Sequence, residues 1–97
     1  MFVVGGIRNV DAFDGVLVGE KVGDALHYRG VVEWGFRARD VLTLLREAKA
    51  PVRTSPFADL RSMRGAVWLE PTLRAEVSYA EIVNAQLRAP SWRRLLE

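Results

Sequence analysis

The chain has 97 residues, 49% hydrophobic and 27% charged, with a net charge of +2 and no cysteine. That length makes one domain, 1–97, with a modest core, and the composition excludes intrinsic disorder, a disulfide framework and a thiolate metal site. No apolar run approaches the roughly 20 residues that span a bilayer, and the first residues lack the basic region of a signal peptide, so a cytoplasmic protein with no membrane partner is expected.

Taken in order, Phe2-Val3-Val4 is β-branched and aromatic, and Gly5-Gly6 then interrupts it, which predicts a strand with a bulge or bend. Residues 9–14 are turn-like. Phe13 to Val22 reads as a second strand, and Gly23-Asp24 is a tight-turn signal leading into a third, Leu26 to Trp34. In that third strand Leu26, Tyr28, Gly30, Val32 and Trp34 share one face, the expected core face. His27, Arg29, Val31 and Glu33 share the other, and His27 is expected to be an ordinary surface histidine. Arg37 to Ala50 is the one clear helix, with Val41, Leu44, Leu45 and Ala48 in an apolar stripe that Pro51 ends. Arg37 and Arg39 fall in its first turn, where cations oppose the macrodipole and Asp40 offsets part of the cost. Residues 51–66 read as a loop anchored by the ring of Phe57. Ala66–Leu69 and Leu73–Val83 are the last two predicted strands, the second with Leu73, Ala75, Val77 and Tyr79 on one face and Arg74, Glu76 and Ser78 on the other.

Three strands, a helix, a loop and two strands is the order of a five-stranded OB-fold Greek-key barrel with one helix between strands 3 and 4, a mainly β fold often used for oligonucleotides. An SH3-like barrel or an α+β sheet accommodates the same order. The end of the chain carries further information: Trp92 stands beside Arg93 and Arg94, just after Pro90. An aromatic ring next to guanidiniums is the composition of a nucleic-acid surface. Only Lys21 and Lys49 among the 14 basic residues are lysine. A GC-rich genome and a phosphate-reading surface both account for that bias. Residues 51–97 hold 7 basic against 5 acidic residues, whereas residues 1–50 hold 7 of each.

Several stretches share a wider pattern: Phe13–Gly19 (FDGVLVG), Leu26–Phe36 (LHYRGVVEWGF), Ser55–Phe57, Val67–Pro71 (VWLEP), Ala75–Glu81 (AEVSYAE) and Leu87–Arg93 (LRAPSWR). In this order and at these spacings the series resembles the C-terminal OB-fold domain of bacterial ATP-dependent DNA ligases of the non-homologous end-joining type. The resemblance implies a role in DNA repair and recombination. The OB domain would close over nicked or broken duplex DNA and assist a nucleotidyltransferase domain whose lysine takes AMP from ATP. ATP and Mg are implied for a full-length ligase, and no cofactor for this chain. The chain departs from the family pattern at Val31, where a basic residue is usual, and at Glu33 and Trp34, where the turn usually has small residues. It also stops at Leu96-Glu97, where the terminal basic motif would begin. That ending reads as a vector-derived dipeptide closing an excised domain, or else as a natural short protein that has lost the motif.

No Lys-x-Asp-Gly nucleophile motif is present, so no activity is expected of the chain alone and no catalytic or metal-binding residue is assigned. What remains is binding. Arg29, Arg37, Arg39, Arg88, Arg93 and Arg94 are the expected nucleic-acid-binding residues, reading phosphate without regard to base sequence. Trp34, Trp68 and Trp92 are expected in the core. The rival reading is a protein-interaction module that docks a nucleotidyltransferase or other repair partner without touching DNA, favoured by Glu33 and Val31 on the would-be DNA face.

Overall fold

A computed structural model describes residues 1–96. Among them the elements are β1 (Phe2–Arg8), β2 (Gly15–Val22), β3 (Ala25–Val32), α1 (Ala38–Glu47), β4 (Ala66–Trp68), β5 (Arg74–Ser78), β6 (Glu81–Val83), β7 (Gln86–Arg88) and β8 (Ser91–Leu96). The five longer strands form an antiparallel sheet in the order β3-β2-β1-β5-β8, with β4 paired to β1. Numbered as barrel strands this is 3-2-1-4-5, the OB order, with the helix between the third and fourth. The two ends of the sheet meet where the Trp92 N–H donates to the Trp34 carbonyl at 2.7 Å.

The turn chemistry behaves as expected. Val22 pairs with Ala25, so Gly23 and Asp24 close a two-residue hairpin, with Gly23 at φ +63°. The ladder skips Gly5 between Val4 and Gly6, which makes it the bulge residue of β1.

Three expectations need correction. The alternation of β3 does not define one core face. Val18 pairs with Gly30 and Gly19 with Tyr28, so Arg29 is skipped and the two halves of the strand turn opposite ways. Val32 enters the barrel core with Val4, Ile7, Val16, Leu44, Ala75 and Trp92. Leu26 instead joins a second core with Leu17, Phe57 and Trp68 on the outer face of the sheet. Trp34, beyond the strand, is 71% exposed rather than buried. Leu73–Val83 is not one strand either: β5 ends at Ser78, and β6 and β7 form a hairpin whose tip, Asn84-Ala85, takes positive φ at both residues. Lastly, the basic terminus is itself the fifth barrel strand. Glu76 pairs with Arg94 and Val77 with Trp92, so Arg93 is a bulge residue, and Trp92 and Leu95 can both reach the barrel core.

The second core explains the long loop. Residues 51–65 fold over the outer face of β1 and β2, and the Phe57 ring lies against Gly5 and Gly19. A methyl group at Gly19 would stand 2.6 Å from that ring and 2.5 Å from the His27 carbonyl, so only glycine leaves the ring its place. The loop is tied further by the Ala58 N–H to the Leu26 carbonyl at 2.8 Å and by the Tyr28 N–H to Asp59 Oδ1 at 2.8 Å. The Tyr28 N–H, with smaller help from His27, holds the Asp59 carboxyl below the usual carboxylate range.

A polar cluster at the other end of β1 joins three segments. Arg8 donates to Asp14 Oδ2 at 3.0 Å and to Glu33 Oε2 at 2.6 Å, and Asn9 Nδ2 donates to Asp14 Oδ2 at 2.9 Å. The hydrogen bond from Arg8, then that from Asn9, lowers the Asp14 pKa below its ordinary value. A lowered carboxylate stabilises the fold above its unfolded-state pKa of about 4 and loses that contribution as pH falls through the folded value. Asp14→Asn is therefore expected to flatten the acid limb of the stability curve below about pH 4, read by thermal melts across pH. An unchanged acid limb would remove Asp14 from the account.

Candidate nucleic-acid interface

The six arginines expected to read phosphate divide by what they touch. Arg29 lies along the sheet, its side chain 14% exposed, with Nε 3.2 Å from Glu20 Oε1 and Nη1 donating to the Tyr28 carbonyl. Arg88 bridges β7 to β6 through Glu81 at 3.2 Å, and Arg94 bridges β8 to β5 through Glu76 at 2.9 Å. Arg37, Arg39 and Arg93 are exposed, and among the described residues none of them has an ion-pair partner.

The fold brings Arg37, Arg39 and Arg94 to one open groove of about 700 Å³ between the first turn of α1 and the C-terminal half of β8. Arg29, Arg88 and Arg93 do not line it. Arg37 occupies the N-cap position without a side-chain cap, so of the first-turn N–H groups it serves only that of Asp40, through its carbonyl at 3.0 Å. Two guanidiniums there, on top of the positive end of the helix, make a local surplus of positive potential.

The groove is held together by a residue whose role the sequence did not disclose. Asp40 is 6% exposed, and its Oδ2 accepts from Trp92 Nε1 at 3.0 Å and from the Leu95 N–H at 3.2 Å. This one carboxylate oxygen ties the arginine-bearing turn of α1 to the arginine-bearing strand β8. The only sequence signal was an acid in the first helical turn, and its partners lie 52 and 55 residues away. The Phe36 ring packs 5.1 Å from that of Trp92, which seats the connection between β3 and α1 on the same plug.

Glu33 also changes meaning. It does not stand as a bare charge in the turn, because it shares the Arg8 guanidinium with Asp14. Among the described residues no three His, Asp or Glu side chains gather into a metal-binding group. No helix among them is long and apolar enough to cross a membrane.

The family described as the ATP dependent DNA ligase C terminal region matches residues 9–97. The chain belongs to that family. Its fold agrees with the crystal structure of the ligase domain from M. tuberculosis LigD, at a TM-score of 0.81 and 32% identity over 98% of this chain and 34% of that one. A mycobacterial DNA ligase D complexed with ATP and MES is similar at a TM-score of 0.81 and 31% identity, over 98% of this chain and 33% of that one. This ligase C-terminal domain thus spans about a third of the length of the ligase structures it matches. No curated protein sequence matches it.

Proposed function

We propose that this ligase C-terminal domain binds duplex DNA at nicks or breaks through its phosphates and assists a nucleotidyltransferase domain in end joining. The observation that carries the reading is the convergence of Arg37, Arg39 and Arg94 on one groove, with Arg37 and Arg39 lacking any carboxylate partner among the described residues. Guanidiniums left unpaired beside an uncapped helix N-terminus favour an anionic backbone and read no base sequence. The chemistry of strand joining, with its ATP and Mg, would belong to the partner domain, since this chain has no adenylated lysine motif.

Titrating nicked and intact duplex at several salt concentrations tests the proposal. Affinity should fall linearly on a log–log plot as counterions are released. Replacing both Arg37 and Arg39 with alanine is expected to weaken binding about tenfold at low salt and to reduce the slope by about 2. No binding at low salt would overturn the reading for the isolated domain.

A second reading, a module that docks a protein partner, is favoured by the β6–β7 hairpin, which leaves Ile82 and Val83 exposed. It predicts salt-insensitive association with a nucleotidyltransferase domain and no duplex binding.

A further inference from the structure

Of the three tryptophans, Trp68 and Trp92 are 9% and 1% exposed, and Trp34 is 71% exposed. Slack in the chain does not explain the difference. The Trp34 carbonyl is bonded to the Trp92 N–H, and Gly35, at φ +89°, lies so close to β8 that a Cβ there would be 2.5 Å from the Trp92 carbonyl. The backbone on both sides of the ring is fixed, and the indole is the part turned outward. It borders a shallow depression with Val31, Glu33 and Pro90.

The charge around the ring suits a polyanion. Glu33, the one acid in that depression, is held by Arg8, which it shares with Asp14. Arg93, raised on its bulge two residues past Ser91, and Arg37, three residues past Trp34, have no carboxylate partner among the described residues. Arg93 directly follows Trp92, whose N–H is bonded to the Trp34 carbonyl, so a flat exposed ring and unpaired guanidiniums lie close along the backbone, the combination that stacks a base while cations hold its phosphates.

We infer that Trp34 stacks on an exposed base of the DNA and so gives the domain a preference for broken or frayed ends over continuous duplex. In continuous duplex every base face is covered by its neighbours, and an indole finds one only at a strand end, a gap or an unpaired nucleotide. The inference rests on the DNA-binding reading above, and the test separates the two.

The experiment compares a duplex bearing a single-stranded overhang with a covalently closed DNA minicircle, using the full chain, Trp34→Ala and Trp34→Phe. The unaltered chain should bind the overhang about tenfold more tightly, the size of one stacked base. Trp34→Ala should narrow that difference to about twofold while keeping the salt slope, because no phosphate contact is lost. Overhang DNA should also quench the tryptophan emission, and Trp34→Phe should abolish the quench, since the other two indoles are buried. Thermal melts confirm that the variants fold. A preference retained in Trp34→Ala, or a quench retained in Trp34→Phe, overturns the inference. If minicircles bind with a normal salt slope and ends are not preferred, the inference falls and the DNA reading stands. If neither DNA binds at low salt, both fall.

Discussion

Asp40→Ala is expected to destabilise the domain by about 3 kcal/mol and to lower its melting temperature by roughly 10–20 °C. The reason is the pair of donors left behind. Trp92 Nε1 belongs to a ring that is 1% exposed and cannot turn to water, and the half-buried Leu95 N–H near the end of β8 can do so only in part. Each orphaned buried donor costs about 1–3 kcal/mol, whereas a hydrogen bond exchanged for water costs less. Asp40→Asn separates geometry from charge. Its amide oxygen can accept from both donors, so it should lose only about 1 kcal/mol, part of which is the favourable charge near the helix N-terminus. Equal losses for the alanine and asparagine variants in thermal melts would mean that charge, and not the paired acceptor, holds α1 to β8. Because Arg37 and Arg39 sit on one side of this tie and Arg94 on the other, Asp40→Ala should also weaken DNA binding, with Asp40→Asn much less affected.

Phe57→Ala is expected to cost about 3–5 kcal/mol, the range for emptying a buried phenyl site. The ring is buried in the second core, with edge contacts at centroid distances of 5.4 Å to Tyr28 and 6.1 Å to Trp68. The glycines beneath it have no side chains that could fill the space. The loss should be local in its consequences. The middle of the 51–65 loop would keep only its hydrogen bonds to β3, with Val52 and Gly65 still bonded to Trp68 and Asn9 at its ends, and exposed Arg53, Arg61 and Arg64 would become open to trypsin. Limited proteolysis should cut the variant in this loop well before the unaltered chain, while far-UV circular dichroism keeps the sheet signature. Equal protease resistance would show that the hydrogen bonds, and not the ring, hold the loop down.

The candidate groove was half legible in the sequence. Arg37, Arg39 and Arg94, which line it, were among the six arginines the sequence singled out, because arginine clusters near a helix start and near the chain end. That the three share a groove could not be read, since it depends on β8 pairing with β5 and on Asp40 reaching Trp92. Arg29 looked equally free in the sequence, yet Glu20, nine residues away across the β2–β3 hairpin, engages it. Trp34 shows where alternation runs out. Counted by twos it belongs with the core, and Val32 past the Arg29 bulge does face the core, but β3 ends at Val32 and the chain turns away through Gly35 at φ +89°, leaving Trp34 in solvent.

What the amino-acid sequence determined by itself is the order of the elements: three strands, the helix and the later strands, the Gly23-Asp24 hairpin, the bulge at Gly5 and the anchoring of the loop by Phe57. These rest on local causes: alternation, helical spacing, turn chemistry and an apolar ring in a polar loop. Only the tertiary structure decided which face each strand buries beyond a bulge, that Ser91–Leu96 is the strand completing the barrel order, which arginines are already spent on carboxylates, and that Trp34 stands in solvent. Those outcomes turn on register shifts at Gly5, Arg29 and Arg93, on partners up to 55 residues apart and, for Trp34, on the end of β3 at Val32, where no local pattern carries the information.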